Sequence, residues 1–367
     1  MLRARTLFNR EWLSGIGIVV FAATVNGQGG APPSETNHFI ATPAGWVHPK
    51  TPWGDPDLQG MWPISFVGSV PLQRCAGGGR PGGPPPPPCD PNKAFLTEEE
   101  YQGRLGQAAK QVDRHAAAIA AGNFGQALQS GVTDPTFPQR QTSLIMDPPD
   151  GKLPELTPEG KRLSALMRSS WALNQDEKQT WDAPADFDTW DRCITRGMPS
   201  SMFPFRYNNG VEIMQVPGYV ILNMEMIHEA RLIPIDGRPA ISPAIKQWMG
   251  ESRGHWENNT LVIVTTNFKA GASMTNIGVA GSPAGNRIPT SEKMKITERI
   301  SRLNNDYLLY EITTEDPVVL TRPWTGRFPL KLDPKYEWWE YACHEGNRTI
   351  PDYINASRAE RAKAADH

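Results

Sequence analysis

The sequence lacks most of the short motifs that identify an enzyme. It has no HExxH or HxH pair, no CxxC pair and no Walker loop. The glycines Gly77 to Gly79 lie in a Pro/Gly-rich loop, without the strand-to-helix context of a dinucleotide-binding motif. Three histidines on separate strands could converge inside a barrel, but metal-ligand spacing is absent. We therefore predict no metal and no cofactor, and neither a serine hydrolase nor a nucleotide-dependent enzyme.

The chain also lacks a strong charge of either sign. Its formal net charge is −2, from 37 basic and 39 acidic residues, which offers no basic footprint for nucleic acid. Beyond the N-terminal segment there is no apolar run of the roughly 20 residues that a membrane-spanning helix needs. We predict a protein that neither binds nucleic acid nor spans a membrane.

The N-terminal segment has the pattern of an export signal. Arg3, Arg5 and Arg10 precede the apolar run 13–25, and small residues follow it. A basic region followed by a short apolar region is typical of a secretory signal peptide, whereas a buried N-terminal helix is the alternative interpretation. We predict a signal peptide over residues 1–27 and a periplasmic or secreted protein.

Cysteine is scarce, with four residues. In an exported chain an even number of cysteines favours disulfide bonds. Of the three possible connectivities we predict Cys75 with Cys89, which closes a Gly/Pro-rich loop. Cys193 and Cys343 then join the region before the β domain to its last strand.

The distribution of turn-forming and periodic residues predicts five segments. With 33 glycines and 35 prolines the chain is rich in loops. Helix starts are predicted at Thr97, which forms a capping box with Glu100, and at Thr157 followed by Pro158. The predicted segments are the signal peptide 1–27, an extended Pro/Gly-rich arm 28–96, a helical and loop-rich segment 97–207, an antiparallel β-barrel domain 208–350 and a C-terminal helix 351–367.

From residue 208 onward short strands alternate with turns. Pro217-Gly218 and Asn258-Asn259 are typical hairpin turns. Local connections between about eight strands favour an up-and-down barrel over a sandwich. We predict a mainly β fold with α additions, in which a lipocalin-like up-and-down barrel follows a loop-rich helical N-terminal part. The predicted strands are 211–216, 219–226, 255–257, 261–268, 295–303, 307–315, 320–328 and 336–343.

Six segments of the chain resemble one group of proteins. The segments are TPWGDPDLQGMW, RCITRGMP, EMIHEARLIPIDGRP, GESRGHWENNTLVIVTTNF, TEDPVVLTRPWTG and YACHEGN. They are similar to segments of a large group of secreted bacterial proteins of unassigned function, common in soil organisms. The resemblance implies export and a lipocalin-like β domain, and it carries no catalytic residues over.

One strand brings ionisable side chains next to apolar ones. Apolar residues occupy every second position of the strand 219–226, and His228 continues that series. Without a bulge, the two-residue period places His228 inside the barrel, with Glu225 and Glu229 on the opposite face. A carboxylate partner for His228 then comes from another strand, with Glu257 and Glu340 as candidates.

This cluster supplies candidate catalytic residues. A histidine held by a carboxylate performs general acid–base catalysis, and a nearby arginine holds a carboxylate or a developing oxyanion. The alternatives are that His228 is a core histidine and that Arg231 forms a structural salt bridge with Asp236. The candidate catalytic residues are Glu225, His228, Glu229 and Arg231.

Methionines and aromatic residues on the predicted strands suggest a ligand cavity. The primary functional hypothesis is a barrel that binds a small apolar or aromatic molecule. The first alternative is a cofactor-free lyase, isomerase or hydrolase that uses a His/Glu pair in the same cavity. The second is a structural or partner-binding extracytoplasmic protein with the aromatic loop 181–207 as its contact surface. The candidate ligand-binding residues are Met224, Met226, Trp256, Trp324, Trp338 and His344.

Overall fold

The computed structural model describes residues 40–75, 89–123, 139–170, 180–283 and 288–365. Over these residues the protein is mainly β, with two antiparallel sheets and few helices, which confirms the predicted class. The strands are β1 (Gly60–Met61), β2 (Ile145–Asp147), β3 (Val211–Val216), β4 (Tyr219–Met224), β5 (Glu229–Pro234), β6 (Glu251–Glu257), β7 (Thr260–Thr266), β8 (Lys295–Arg302), β9 (Tyr307–Glu315) and β10 (Trp324–Lys331).

The strands form two meanders. One sheet has the order β1-β3-β4-β5, and the other has the order β2-β10-β9-β8-β7-β6. The predicted hairpins are present: β3 and β4 turn at Pro217-Gly218, β6 and β7 turn at Asn258-Asn259, and β8 pairs with β9. Asn258 adopts a positive φ of 55°, which asparagine tolerates better than most residues.

One predicted strand is wrong. Residues 336–343 are irregular, and the last strand is β10. The reason is that this segment forms hydrogen bonds with the side chain of Glu225 instead of with a neighbouring strand. The Tyr336 hydroxyl and the Trp339 backbone N–H both donate to the carboxylate of Glu225.

The hydrophobic core contains side chains from both sheets and from the segments before them. Trp62, which follows β1, and Phe203, which precedes β3, are buried together with residues of β9 and β10. The Phe203 ring lies 5.7 Å from Trp324 and 5.4 Å from Phe328, measured between centroids. Residues of the predicted arm and of the predicted helical segment therefore share one core with the β region.

The predicted closed barrel is not confirmed, because the strand ladders of the described residues form two separate sheets. The sheets meet at two seams. At one seam, just beyond β10, the backbone N–H of Asp333 donates to the carbonyl of Met61 in β1 at 2.9 Å. At the other seam, the edge strands β5 and β6 lie side by side without a ladder between them.

The helices are peripheral. They are α1 (Glu98–Ala120), α2 (Pro158–Leu166) and α3 (Thr349–Ala365). Both predicted helix starts are confirmed, since Thr97 forms the capping box with Glu100 and the Thr157 hydroxyl accepts from Gly160 N–H. The three- and four-residue spacing of apolar residues along α1 predicts a buried face that includes Val112 and Ile119, but both of these side chains are exposed. None of the helices in the described ranges is both long and apolar enough to cross a membrane.

Both predicted disulfides are confirmed. The sulfur atoms of Cys75 and Cys89 lie 2.07 Å apart, and those of Cys193 and Cys343 lie 2.01 Å apart. The predicted signal peptide over residues 1–27 lies outside the described residues.

Candidate functional site

A cleft of about 570 Å³ opens at the seam between β5 and β6. Its position follows from the spacing of the two edge strands. A Cβ atom at Gly254 would lie only 2.8 Å from Ile235 Cγ2 and 3.0 Å from Ile233 Cγ2, so the glycine allows β5 and β6 to approach closely at one end. Beyond this contact the cleft is bordered by residues 229–232 and 247–253. Apolar and charged side chains therefore lie together between the edge strands of the two sheets.

A buried ion pair joins the sheets beside the cleft. Arg231 in β5 donates from both terminal nitrogens to Glu298 in β8, with Nη1 at 2.9 Å from Oε1. Burial alone lowers the pKa of Arg231, but the Glu298 charge and its hydrogen bond outweigh burial and raise it. Arg231 Nη2 also lies 3.2 Å from the hydroxyls of Ser252 and Thr265. The predicted pairing of Arg231 with Asp236 is wrong, since Asp236 pairs with Arg238.

The buried pair is completed by a tyrosine. Tyr310 donates its hydroxyl to Glu298 Oε1 at 2.7 Å. Burial, and next the Glu298 charge, raise the pKa of Tyr310 well above its usual value, so the hydroxyl keeps its proton. Both charges are thus neutralised within the protein, and Arg231 is not a free anion-binding group.

Glu229 is the carboxyl group of the cleft that has no ion-pair partner within 4 Å among the described residues. Its Oε2 accepts a hydrogen bond from the Thr195 hydroxyl at 2.8 Å. Burial raises the pKa of Glu229, and this effect outweighs the Thr195 hydrogen bond and the charge of Arg231, which lower it. A half-buried carboxyl of this kind accepts a hydrogen bond from a ligand or exchanges a proton with it.

Trp248 forms the aromatic wall of the cleft and is half-buried. Lys269 Nζ lies 4.6 Å from the centroid of its ring, and Arg192 Cζ lies 5.8 Å from a ring centroid of the same residue. The neighbouring Met249 is buried, and the Thr195 hydroxyl lies 3.1 Å from its sulfur. Two cations therefore lie close to the indole that lines this end of the cleft.

His228 lies outside the cleft, and its predicted inward orientation is wrong. The strand ends at Met224, and a turn follows in which Ile227 and His228 both have positive φ, at 62° and 41°. This turn breaks the two-residue period, so His228 is exposed. Its Nδ1 lies 3.1 Å from the carbonyl oxygen of Tyr341, and among the described residues no carboxylate lies within 4 Å of its ring nitrogens.

Neither predicted carboxylate partner reaches His228. Glu257 pairs instead with His255 and Arg299 at the surface, and Glu340 is exposed. The structure therefore contains no His228 acid–base pair of the predicted kind within the described residues.

Glu225 is buried rather than exposed, and it has a structural environment. Its Oε1 accepts from Asn208 Nδ2 at 3.0 Å and from Trp339 N–H at 2.8 Å, while Oε2 accepts from Gly210 N–H at 2.9 Å and from the Tyr336 hydroxyl. These four donors occupy both oxygen atoms. Glu225 thus ties the segment after β10 to the start of β3.

The predicted ligand-binding residues do not converge on one site. Met224 and Trp324 are packed in the main core, and Met226 belongs to a second small cluster that includes Trp190. The remaining three, Trp256, Trp338 and His344, are half-buried or exposed on different segments.

Metal ligation has no support in the described ranges, where no group of three or more His, Cys, Asp or Glu side chains is placed to hold an ion. Of the four candidate catalytic residues, Glu229 and Arg231 border the cleft, whereas His228 and Glu225 do not. Sequence reasoning missed Thr195, Trp248 and Lys269. Gly254, a glycine inside a strand, was the one signal of a close strand approach at this seam.

Comparison with protein-family models finds no match, and comparisons with curated proteins and with solved structures find no significant match.

Proposed function

We propose that the protein binds a small, largely apolar or aromatic molecule in the cleft between β5 and β6. The observation that carries this proposal is the combination of apolar wall and unpaired carboxyl at the seam. Leu232 has 61% of its surface exposed beside the cleft, and Trp248 and Met249 line it further along the chain. Glu229 offers a hydrogen-bond acceptor next to them. Ligand sites in proteins typically combine a mostly apolar lining with a few such polar groups.

The proposed site differs from the one predicted from sequence, because Met224 and Trp324, which were predicted to bind the ligand, are buried in the main core. The ligand therefore lies between the sheets, at the edge of β5, rather than inside a closed barrel. A molecule with an aromatic body and one N–H or O–H donor matches the lining, since the donor meets Glu229 and the body meets Trp248 and Leu232.

A fluorescence titration tests this proposal. The dye N-phenyl-1-naphthylamine is apolar, carries one N–H donor and brightens in apolar sites. Ala230→Phe introduces a ring at an exposed position that lines the cleft. We expect this variant to weaken dye binding by about tenfold or more, because its side chain occupies the ligand's space.

The matched control is Val216→Phe, which places the same ring at an exposed position of the same sheet outside the cleft. We expect no change in dye affinity. Equal dye binding by wild type and Ala230→Phe would contradict the proposal.

A second candidate function is catalysis by Glu229. The raised pKa of Glu229 in an open cleft favours a role as general acid or base. In this second proposal Glu229, rather than His228, is the acid–base residue of a cofactor-free lyase, isomerase or hydrolase. As a hydrolase probe, 4-nitrophenyl acetate should be cleaved by wild type and not by Glu229→Gln. An unchanged rate in that variant would remove Glu229 from a hydrolytic mechanism.

The structural or partner-binding alternative has less support. Its contact surface was the loop 181–207, but the aromatic residues Trp181, Phe187, Trp190 and Phe203 are buried. Their rings are therefore not free for a partner.

The fold and location belong to the same proposal. We regard the two meanders as the halves of a lipocalin-like barrel that is opened at the β5–β6 seam, and the Asp333–Met61 hydrogen bond at the opposite seam supports this interpretation. Membership of the group of secreted bacterial proteins, with cleavage of residues 1–27 and export, is proposed alongside it. Two disulfides suit an oxidising compartment. Mass spectrometry of the exported chain tests the cleavage.

A further inference from the structure

We infer that the ligand of the cleft is an anion, with its negative group held by Lys269 and Arg192 beside Trp248. This inference rests on the proposed function and adds the chemical class of the ligand. A carboxylate, sulfonate or sulfate on an aromatic body fits these positions.

The first step is the location of the two cations. Both lie within 6 Å of the indole of Trp248, which lines the cleft. Lys269 is exposed and follows the loop after β7, while Arg192 is half-buried and comes from the loop before β3. Two separate parts of the chain therefore bring positive charge to one wall of the cleft.

The second step is that neither cation has a carboxylate in direct contact. Within the described ranges no carboxylate lies within 4 Å of the charged nitrogens of Lys269 or Arg192. Arg192 donates from Nε to the backbone carbonyl of Asp188 at 3.2 Å. The neighbouring Asp191 accepts from the hydroxyl and backbone N–H of Ser170 and interacts with Arg192 through its charge, without a direct contact.

The third step is that the other cations of the cleft are neutralised. Arg231 pairs with Glu298, and Arg253 pairs with Glu251. Neither of these arginines offers charge to a ligand without breaking an ion pair. The positive charge that remains available lies at Trp248.

The fourth step is the distribution of charge along the cleft. Glu229 accepts from Thr195, whose hydroxyl lies 3.1 Å from the Met249 sulfur, whereas Lys269 Nζ lies 4.6 Å from the ring centroid of Trp248. A ligand that carries both an anionic group and an N–H or O–H donor can interact with the cations and with Glu229. A neutral ligand leaves the two cations unused.

A matched pair of dyes tests the inference. 8-Anilinonaphthalene-1-sulfonate has the ring skeleton and N–H of N-phenyl-1-naphthylamine with one added sulfonate. At low ionic strength we expect the sulfonate to bind about tenfold more tightly, because charge-assisted contacts strengthen binding and salt screens them. Raising the salt concentration should remove most of this advantage.

Variants assign the effect to the two cations. The double variant Lys269→Gln/Arg192→Gln should lose the sulfonate preference and bind the two dyes with similar affinity. Lys269→Arg in place of Lys269→Gln should restore part of the preference. Lys246→Gln is the control, because this nearby lysine faces Glu292 at 3.8 Å. It should keep the full preference.

The outcomes separate the two proposals. Equal affinities of wild type for the two dyes, with both lost in Ala230→Phe, would overturn the anion inference and leave the binding function standing. A sulfonate preference that persists in the double variant would also overturn it. If Ala230→Phe affects neither dye, the proposed function fails and the inference fails with it.

Discussion

Arg231 and Glu298 form a buried ion pair that crosses from one sheet to the other. Arg231 belongs to β5, at the edge of the four-stranded sheet, and Glu298 belongs to β8, inside the six-stranded sheet. Their side chains are 3% and 0% exposed. Since β5 and β6 share no ladder, this pair replaces backbone hydrogen bonds as the polar link across the seam beside the cleft.

Glu298→Gln should destabilise the protein by about 3–5 kcal/mol, because it leaves the Arg231 charge buried without a counter-charge. The double variant Arg231→Met/Glu298→Gln should recover most of that loss, since it removes the isolated charge and keeps an acceptor for Tyr310. Urea unfolding followed by circular dichroism measures both. The exposed pair of Glu257 with Arg299 is the control, and Glu257→Gln should change stability little. A double variant as unstable as Glu298→Gln would contradict this interpretation.

Glu225→Gln should loosen the segment after β10. The carboxylate accepts four hydrogen bonds, and an amide group would place its own N–H opposite two of the donors whichever way it is turned. We expect a loss of about 2–3 kcal/mol and faster hydrogen exchange at the Trp339 amide. Glu340→Gln, an exposed change in the same segment, is the control. Unaltered exchange at Trp339 in Glu225→Gln would show that the bonds do not hold the segment.

Asp188 should make stability depend on pH. Burial, and next the charge of Asp191, raise the pKa of Asp188 to about 6. A carboxyl whose pKa is raised on folding stabilises the folded state while it is protonated, fully below its unfolded pKa of about 4, and this contribution disappears as the pH rises through about 6. Asp188→Asn should therefore gain about 2 kcal/mol relative to wild type between pH 4.5 and pH 7.

Chemical denaturation at the two pH values measures this difference. Asp236→Asn is the control, because the Arg238 hydrogen bonds hold the pKa of Asp236 at about 2, below the tested range. A constant difference between Asp188→Asn and wild type at both pH values would contradict the assignment.

His228→Gln should leave ligand binding unchanged. The side chain is exposed, contacts the Tyr341 carbonyl and does not line the cleft. We expect a stability change within about 0.5 kcal/mol, as for most surface substitutions. Titration with N-phenyl-1-naphthylamine measures the affinity. A loss of affinity as large as that of Ala230→Phe would show that His228 belongs to the ligand site.

The sequence predicts the local parts of the fold well. Alternation and turn residues identify the hairpin at Asn258-Asn259, and a capping box identifies the start of α1 at Thr97. Both depend on interactions between residues close in the chain. The even number of cysteines in a predicted exported chain, and the Gly/Pro-rich loop between Cys75 and Cys89, suffice to pair those two cysteines. The same argument pairs Cys193 with Cys343, although these two residues are far apart in sequence.

The site is harder to predict because it depends on departures from the local rules. A β-branched residue, Ile227, adopts a positive φ against its preference, so the face assigned to His228 is wrong. The burial of Glu225 depends on donors more than 100 residues away, such as Tyr336 and Trp339. The cleft itself exists because two sheets separate, and no periodicity in the sequence reports where a ladder ends.

The most direct test of the cleft as the ligand site is the mapping of amide and indole NMR signals during titration with 8-anilinonaphthalene-1-sulfonate. We predict that the Trp248 indole N–H and the amides of residues 229–232 and 249–253 shift together and saturate with one affinity. The exposed indole of Trp339, outside the cleft, should stay unchanged. Shifts confined to Trp339 and its neighbours, with the Trp248 signal unmoved at saturation, would contradict the cleft as the ligand site.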